Sequence, residues 1–166
     1  MNPAQDPEII VDKAARTLSL VRAGRLERRY PIALGRNAGA DKCVEGDCAT
    51  PLGDFFICAK NPHSRFFLSL CLSYPNAGHA GRGLRDGLIT PHEYALIMDA
   101  LRDGRMPPQK TRLGGEIYIH GEDPGAAAAA PQVRRDWTHG CIALDNGSMQ
   151  ELYATVPIGT AVSIRP

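Results

Sequence analysis

A chain of 166 residues with 43% hydrophobic and 22% charged side chains has the composition of a folded globular domain, not of a disordered tail or a membrane protein. Its 19 basic and 18 acidic side chains nearly cancel, leaving a net charge of +1 and no electrostatic footprint for nucleic acid. No apolar run reaches the ~20 residues that span a bilayer, and the length suits one domain, 1–166, with a core of its own.

The amino end, "MNPAQDPEII", is polar and carries no apolar signal segment. It reads as the mature or trimmed form of an exported protein, or as a protein that works where it is made. "EIIVD" (8–12) and "LSLVR" (18–22) are predicted strands joined through "KAART", and "LERRYPIALG" (26–35) returns as a third strand ending at Gly35. The Gly-, Asp- and Asn-rich stretch 35–53 reads as surface loop. "DFFICAK" (54–60) and "RFFLSLCLSYP" (65–75) are aromatic and β-branched runs that predict a second hairpin turning at "NPHS" (61–64).

The stretch around "GHAGRGLRDG" reads as loop, with Arg82 and Arg85 either in a cap over a cleft or as plain loop charges. The strongest helix signal is "TPHEYALIMDALRDG" (90–104). Thr90 suits the N-cap, Pro91 the first turn and Glu93 the return bond of a capping box. Tyr94, Ile97, Met98 and Leu101 recur at helical spacing, and Gly104 ends the run. "GGEIYIH" (114–120) is a strand and 121–136 a loop. A short helix follows from about Asn146, and "GTAVSIRP" (159–166) closes the chain as a strand. Many short strands with two or three modest helices predict a mainly β domain, a sandwich or part-closed barrel.

Five cysteines, Cys43, Cys48, Cys58, Cys71 and Cys141, make an odd count. It fits two disulfides plus one reactive thiol in an oxidising compartment, or five reduced thiols buried as small hydrophobes. Cys43 and Cys48 flank a turn-rich segment and are candidates for closing a short loop.

The chemistry concentrates in 116–146. Alternation along "EIYIH" puts Ile117 and Ile119 on one side and Tyr118 and His120 on the other, with His120 ending a rigid strand where a loop opens. In "THGCIALD", Ile142 and Leu144 point inward while Cys141 and Ala143 face oppositely. Gly140 permits a sharp turn and a close backbone approach, so nearby N–H groups are placed to hold an oxyanion. A thiol beside an imidazole is the arrangement that ionises cysteine for acyl transfer. Two other readings fit the same residues. One is a mononuclear metal site from His120, His139 and Cys141 with Glu122 or Asp123; the other is plain packing.

"IHG" followed by "THGCIAL", a helix and a terminal "GTAVSI" resembles the YkuD-type L,D-transpeptidase catalytic domain. The likeness extends upstream through "VDKAARTLSLVRAGRLERRYPIALG" and "EGDCATPLGDFFI" and covers 9–164. "DWTHGCIAL" and "SLCLSYPN" are similar to the family's YafK-like branch.

The resemblance implies Cys141 as the acylated nucleophile and His120 as its base. It implies that His139 and Gly140 shape the pocket, that their N–H groups and that of Cys141 form the oxyanion hole, and that the Gly121 carbonyl orients the His120 ring. Its substrates are peptidoglycan stem peptides, attacked at the third residue with loss of the terminal D-alanine. An amine acceptor gives a 3–3 crosslink or a protein-to-wall bond. Water makes the same site a carboxypeptidase, or an amidase releasing a wall-linked lipoprotein; a catalytically silent wall-binding module is a further reading. No metal or organic cofactor is implied, and the place of action is the periplasm or another extracytoplasmic space. Where the commoner pattern has Arg or Asn after Gly-Cys-Ile or Gly-Cys-Val, this chain has Ala143. Arg134 and Arg135 are candidates for gripping a stem-peptide carboxylate or are a solvated surface; Trp137 and Thr138 adjoin the site, Trp137 as pocket wall or core filler.

Overall fold

The computed structural model describes residues 6–125 and 135–166. The first half is the expected meander, β1 (Pro7–Asp12), β2 (Thr17–Arg22) and β3 (Arg25–Pro31). Ile9 pairs with Leu20 and Val11 with Leu18, and all four are buried, so one face of this ladder is core. β3 is a charged edge: Arg25, Glu27, Arg28 and Arg29 face solvent, and within it only Tyr30 is buried.

β8 (Ala161–Arg165) runs parallel to β1 and antiparallel to the long β4 (Gly53–Ser64), which pairs through its second half with β5 (Phe67–Leu72). β5 is antiparallel to β6 (Tyr118–His120), and β6 is parallel to the two-residue β7 (Ile142–Ala143). The order is β3-β2-β1-β8-β4-β5-β6-β7.

The two ends of this order then meet. The third strand stops pairing at Pro31, short of the expected Gly35, and the chain turns inward. Ala33 exchanges both backbone hydrogen bonds with Ala143 at 2.9 Å, and Gly35 bridges Thr138. A mainly β, part-closed barrel is therefore what forms. The segment joining its edges is the one that carries the Thr-His-Gly-Cys motif.

The second hairpin turns later than the sequence suggests: β4 continues through "NPHS", and the turn falls on Arg65 and Phe66. Pro62 is tolerated because it is exposed beside a register shift between Asn61 and Ser64, where no ladder bond is required of it.

Among the described residues there are three helices. α1 (Ala77–Arg85) lies where the sequence predicts loop, N-capped by Asn76, whose side chain accepts from His79 N. α2 (Pro91–Arg102) has the predicted Thr90 cap and Glu93 capping box. Ala80, Ile89, Ile97 and Leu113 form a small core between these two helices. α3 (Asn146–Thr155), capped by Asp145, buries Met149 and Leu152 in the main core.

The expected Cys43–Cys48 closure is absent: all five cysteines are free thiols. Their loop is held instead by the Asp47 carboxylate. It accepts from the backbone N–H groups of Cys43, Val44 and Ala49 at 2.7–3.0 Å and from Lys42 Nζ at 2.9 Å.

Candidate active site

The parallel pairing of β6 and β7 sets the geometry. Ile119 opposes Ile142, both fully buried, and they pin the two backbones inward. Tyr118, His120 and Cys141 then fall on the other face and line one cleft of about 660 Å³. Ala143 departs from the expected outward position, because its pairing with Ala33 leaves it fully buried.

His120 is 3% exposed. Its Nδ1 lies 2.6 Å from the Gly121 carbonyl oxygen, which fixes Nδ1–H as a donor and leaves the lone pair on Nε2. Phe66 stacks on the imidazole with centroids 4.6 Å apart, and Trp137 meets it edge-on at 5.8 Å. Burial lowers the His120 pKa and outweighs the opposing bond to Gly121.

The Cys141 sulfur donates to the Glu116 carbonyl at 3.3 Å and accepts from Tyr118 N–H at 3.5 Å. Burial pushes its pKa up to about 11, against the Tyr118 bond and the positive charge of Lys42. The two functional groups thus share a cleft as neutral thiol and neutral imidazole. The sulfur's hydrogen bonds go to Glu116 and Tyr118, not to the ring.

Around the sulfur the backbone is sharply bent. Gly140 has φ +136°, and a Cβ there would lie 2.8 Å from the Ala49 carbonyl oxygen, so only glycine fits. The Thr138 hydroxyl staples this bend, donating to the Cys141 carbonyl at 2.7 Å and accepting from Gly140 N–H at 3.1 Å. Two expectations change as a result. Thr138 lines the cleft but its hydroxyl is engaged in the turn, and the Gly140 N–H, an expected oxyanion donor, is engaged with it. The N–H groups of His139 and Cys141 make no hydrogen bond among the described residues.

His139 is exposed and, with Glu116 and Cys141, forms a ridge between the cleft and a second opening of about 450 Å³ bounded by Lys42, Gln109 and Gly114. Cys141 therefore borders both openings. A cavity of similar size, about 640 Å³, lies beside Pro7 and Ile158, but neither cysteine nor histidine lines it. Chemistry, not volume, marks the site.

The family model of the YkuD L,D-transpeptidase catalytic domain matches residues 6–164. The chain belongs to this family. Among solved structures, the L,D-transpeptidase domain is similar to one from Mycobacterium smegmatis, with 16% identity and a TM-score of 0.57 over 97% of this chain and 59% of that one. The helical cell shape determining protein Pgp2 from Campylobacter jejuni shares 20% identity, with a TM-score of 0.63 over 96% and 47%. The LD transpeptidase LdtMt1, solved in complex with imipenem, shares 15% identity, with a TM-score of 0.54 over 96% and 58%. At such identities the likeness concerns the fold, and this chain spans only 47–59% of those lengths. No curated protein matches it.

The remaining candidates of the L,D-transpeptidase domain separate clearly. Trp137 walls the cleft, and its buried Nε1–H has no hydrogen-bond partner among the described residues. Arg135 is exposed and outside the cleft lining, and Arg134 lies outside the described residues. Arg82 does not cap the cleft. It sits on α1 with its guanidinium on Asp41 at 2.7 Å, away from both openings, because Asp41 is fixed there by the Leu52 N–H and His79. The metal reading of His120, His139 and Cys141 is not realised, since among the described residues no three His, Cys, Asp or Glu side chains converge.

Several residues that position the site gave no local signal. Phe66 arrives from the β4–β5 turn. Asp136 receives Arg16 at 2.8 Å and the Leu34 N–H at 3.0 Å, tying the approach to Thr138 onto the barrel. The side-chain oxygen of Asn146, first residue of α3, accepts from Glu122 N–H at 2.7 Å. A Cβ on Gly121 would come within 2.3 Å of this oxygen, so Gly121 lets this clamp close beside the carbonyl that orients His120.

Proposed function

We propose that this chain is a cysteine acyltransferase of peptidoglycan stem peptides acting outside the cytoplasmic membrane. The observation that carries the reading is the shared cleft of Cys141 and His120, with the ring fixed through Nδ1 and its Nε2 lone pair left to take a proton.

A stem-peptide carbonyl entering the cleft displaces the Glu116 contact. His120 Nε2 takes the thiol proton as Cys141 Sγ adds to the carbonyl carbon, and the oxyanion lies against the N–H groups of His139 and Cys141. Collapse expels the terminal alanine, whose amine takes the proton from His120, and a thioester remains. An acceptor amine then adds, giving up its proton to His120, and the thiol is regenerated. The low basicity that burial imposes on His120 favours returning the proton to the leaving group.

Two openings that share Cys141 in their lining suit a two-substrate transfer, donor on one side and acceptor on the other. Water entering by the second opening would instead give a carboxypeptidase, or an amidase releasing a wall-linked lipoprotein.

Incubation with purified muropeptides, followed by mass spectrometry, tests the reading. Crosslinked dimers are expected. Shortened or released monomers alone would assign hydrolysis, and unchanged muropeptides a wall-binding module.

A further inference from the structure

Four thiols lie outside the chemistry above, and two of them face each other. In the β4–β5 ladder Ile57 opposes Leu72 and Ala59 opposes Cys71, so Cys58 is the extra residue of a bulge beside Cys71. The Cys58 thiol donates to the Cys71 carbonyl at 3.4 Å. In a bulge two residues of one strand oppose one on its partner, so Cys58 shares with Ala59 the position across from Cys71, and the two thiols are in side-chain contact. Cys43 and Cys48 differ: each thiol donates to a carbonyl of its own turn, that of Asp41 and that of Gly46.

We propose that Cys58 and Cys71 are a dithiol site that forms a cross-strand disulfide by exchange with an external disulfide. Their environments divide the roles. Cys58 is half-buried and its pKa is lowered by its contact with the Cys71 thiol, which suits it to attack first. Cys71 is 3% exposed and its pKa is raised by the same contact and by burial, which suits it to resolve. The Cys58 thiolate attacks one sulfur of the external disulfide, breaking that bond and releasing one thiolate. Cys71, losing its proton, then attacks Cys58 Sγ and expels the second thiolate. The two protein thiols are oxidised by two electrons, and the external disulfide leaves as two thiols carrying the two protons.

The bond closes the hairpin whose turn carries Phe66, the ring stacked on His120. It also lies one strand from the sulfur of Cys141, since Cys71 pairs with Tyr118, whose N–H holds that sulfur. Cross-linking β4 to β5 therefore fixes the strands that support the imidazole.

The test is to equilibrate the full chain with glutathione disulfide, quench in acid, alkylate under denaturing conditions and map peptides without reductant. The expected product is a Cys58–Cys71 linked peptide lacking the mass of two hydrogens, reversed by dithiothreitol. Alkylation at these two positions should fall to near zero. Cys71→Ser should trap glutathione on Cys58, whereas Cys58→Ser should leave Cys71 unmodified in folded protein. Full alkylation of both residues, glutathione on each of them, or a link to any other cysteine would overturn the proposal.

Discussion

Phe66 lies flat on the imidazole of His120, centroids 4.6 Å apart and planes 25° from parallel, while Trp137 meets the imidazole edge-on at 5.8 Å and packs beside Phe66 at 5.8 Å. The ring is thereby dried and held with one direction for its Nε2 lone pair. Removing the stack in Phe66→Ala should admit water, raise the His120 pKa toward 6.5 and move the acid limb of kcat/KM upward. We expect kcat to fall about tenfold with little change in KM. A pH–rate profile checks this; an unmoved acid limb contradicts it.

Thr138 joins the Gly140 N–H to the Cys141 carbonyl through one buried hydroxyl. Thr138→Val keeps the shape and leaves both groups unpaired, which should cost about 1–3 kcal/mol of stability and lower kcat. Thr138→Ser should recover most of both. Urea unfolding measured alongside turnover separates the two effects, and a fully active Val variant would show that the staple is dispensable.

The thiol is not stored as a thiolate. With its pKa pushed up to about 11 by burial, Cys141 should react with iodoacetamide at a rate rising about tenfold per pH unit from pH 7 to 10. A plateau near neutrality would indicate a preformed thiolate–imidazolium pair instead. The same shifts fix the pH dependence of stability. The folded chain keeps the Cys141 proton above pH 9.0, where an unperturbed thiol begins to lose it, so stability should fall as pH rises from there to about 11. Folded His120 resists a proton that the unfolded chain accepts near pH 6.5, so stability should also fall as pH drops below that value. Thermal midpoints across both windows, compared with Cys141→Ser and His120→Gln, measure each contribution.

The sequence disclosed what depends on local pattern. The first strands, 8–12 and 18–22, and the Thr90–Glu93 capping box needed only neighbouring residues. So did the facing of Tyr118 and His120 away from Ile119. Helix α1 was hidden because Gly78, Gly81 and Gly83 are poor helix formers, and its stability comes from packing Ala80 against Leu113 and α2. Phe66, Asp136 and Asn146 were hidden for another reason. Each acts on a residue brought close by tertiary pairing: Asp136 on Arg16, Phe66 on His120, Asn146 on Glu122. Arg82 misled because a loop charge and a helix charge bound to Asp41 look alike in one dimension.

Acylation of Cys141 is the claim on which the mechanism stands, and intact-mass spectrometry of acid-quenched protein mixed with a stem tetrapeptide tests it most directly. The account predicts an adduct equal to the donor minus its terminal alanine, mapped to Cys141, absent in Cys141→Ala and formed at least about a hundredfold more slowly in His120→Ala. Folded protein that gains no mass, or gains it on another residue, would contradict the account.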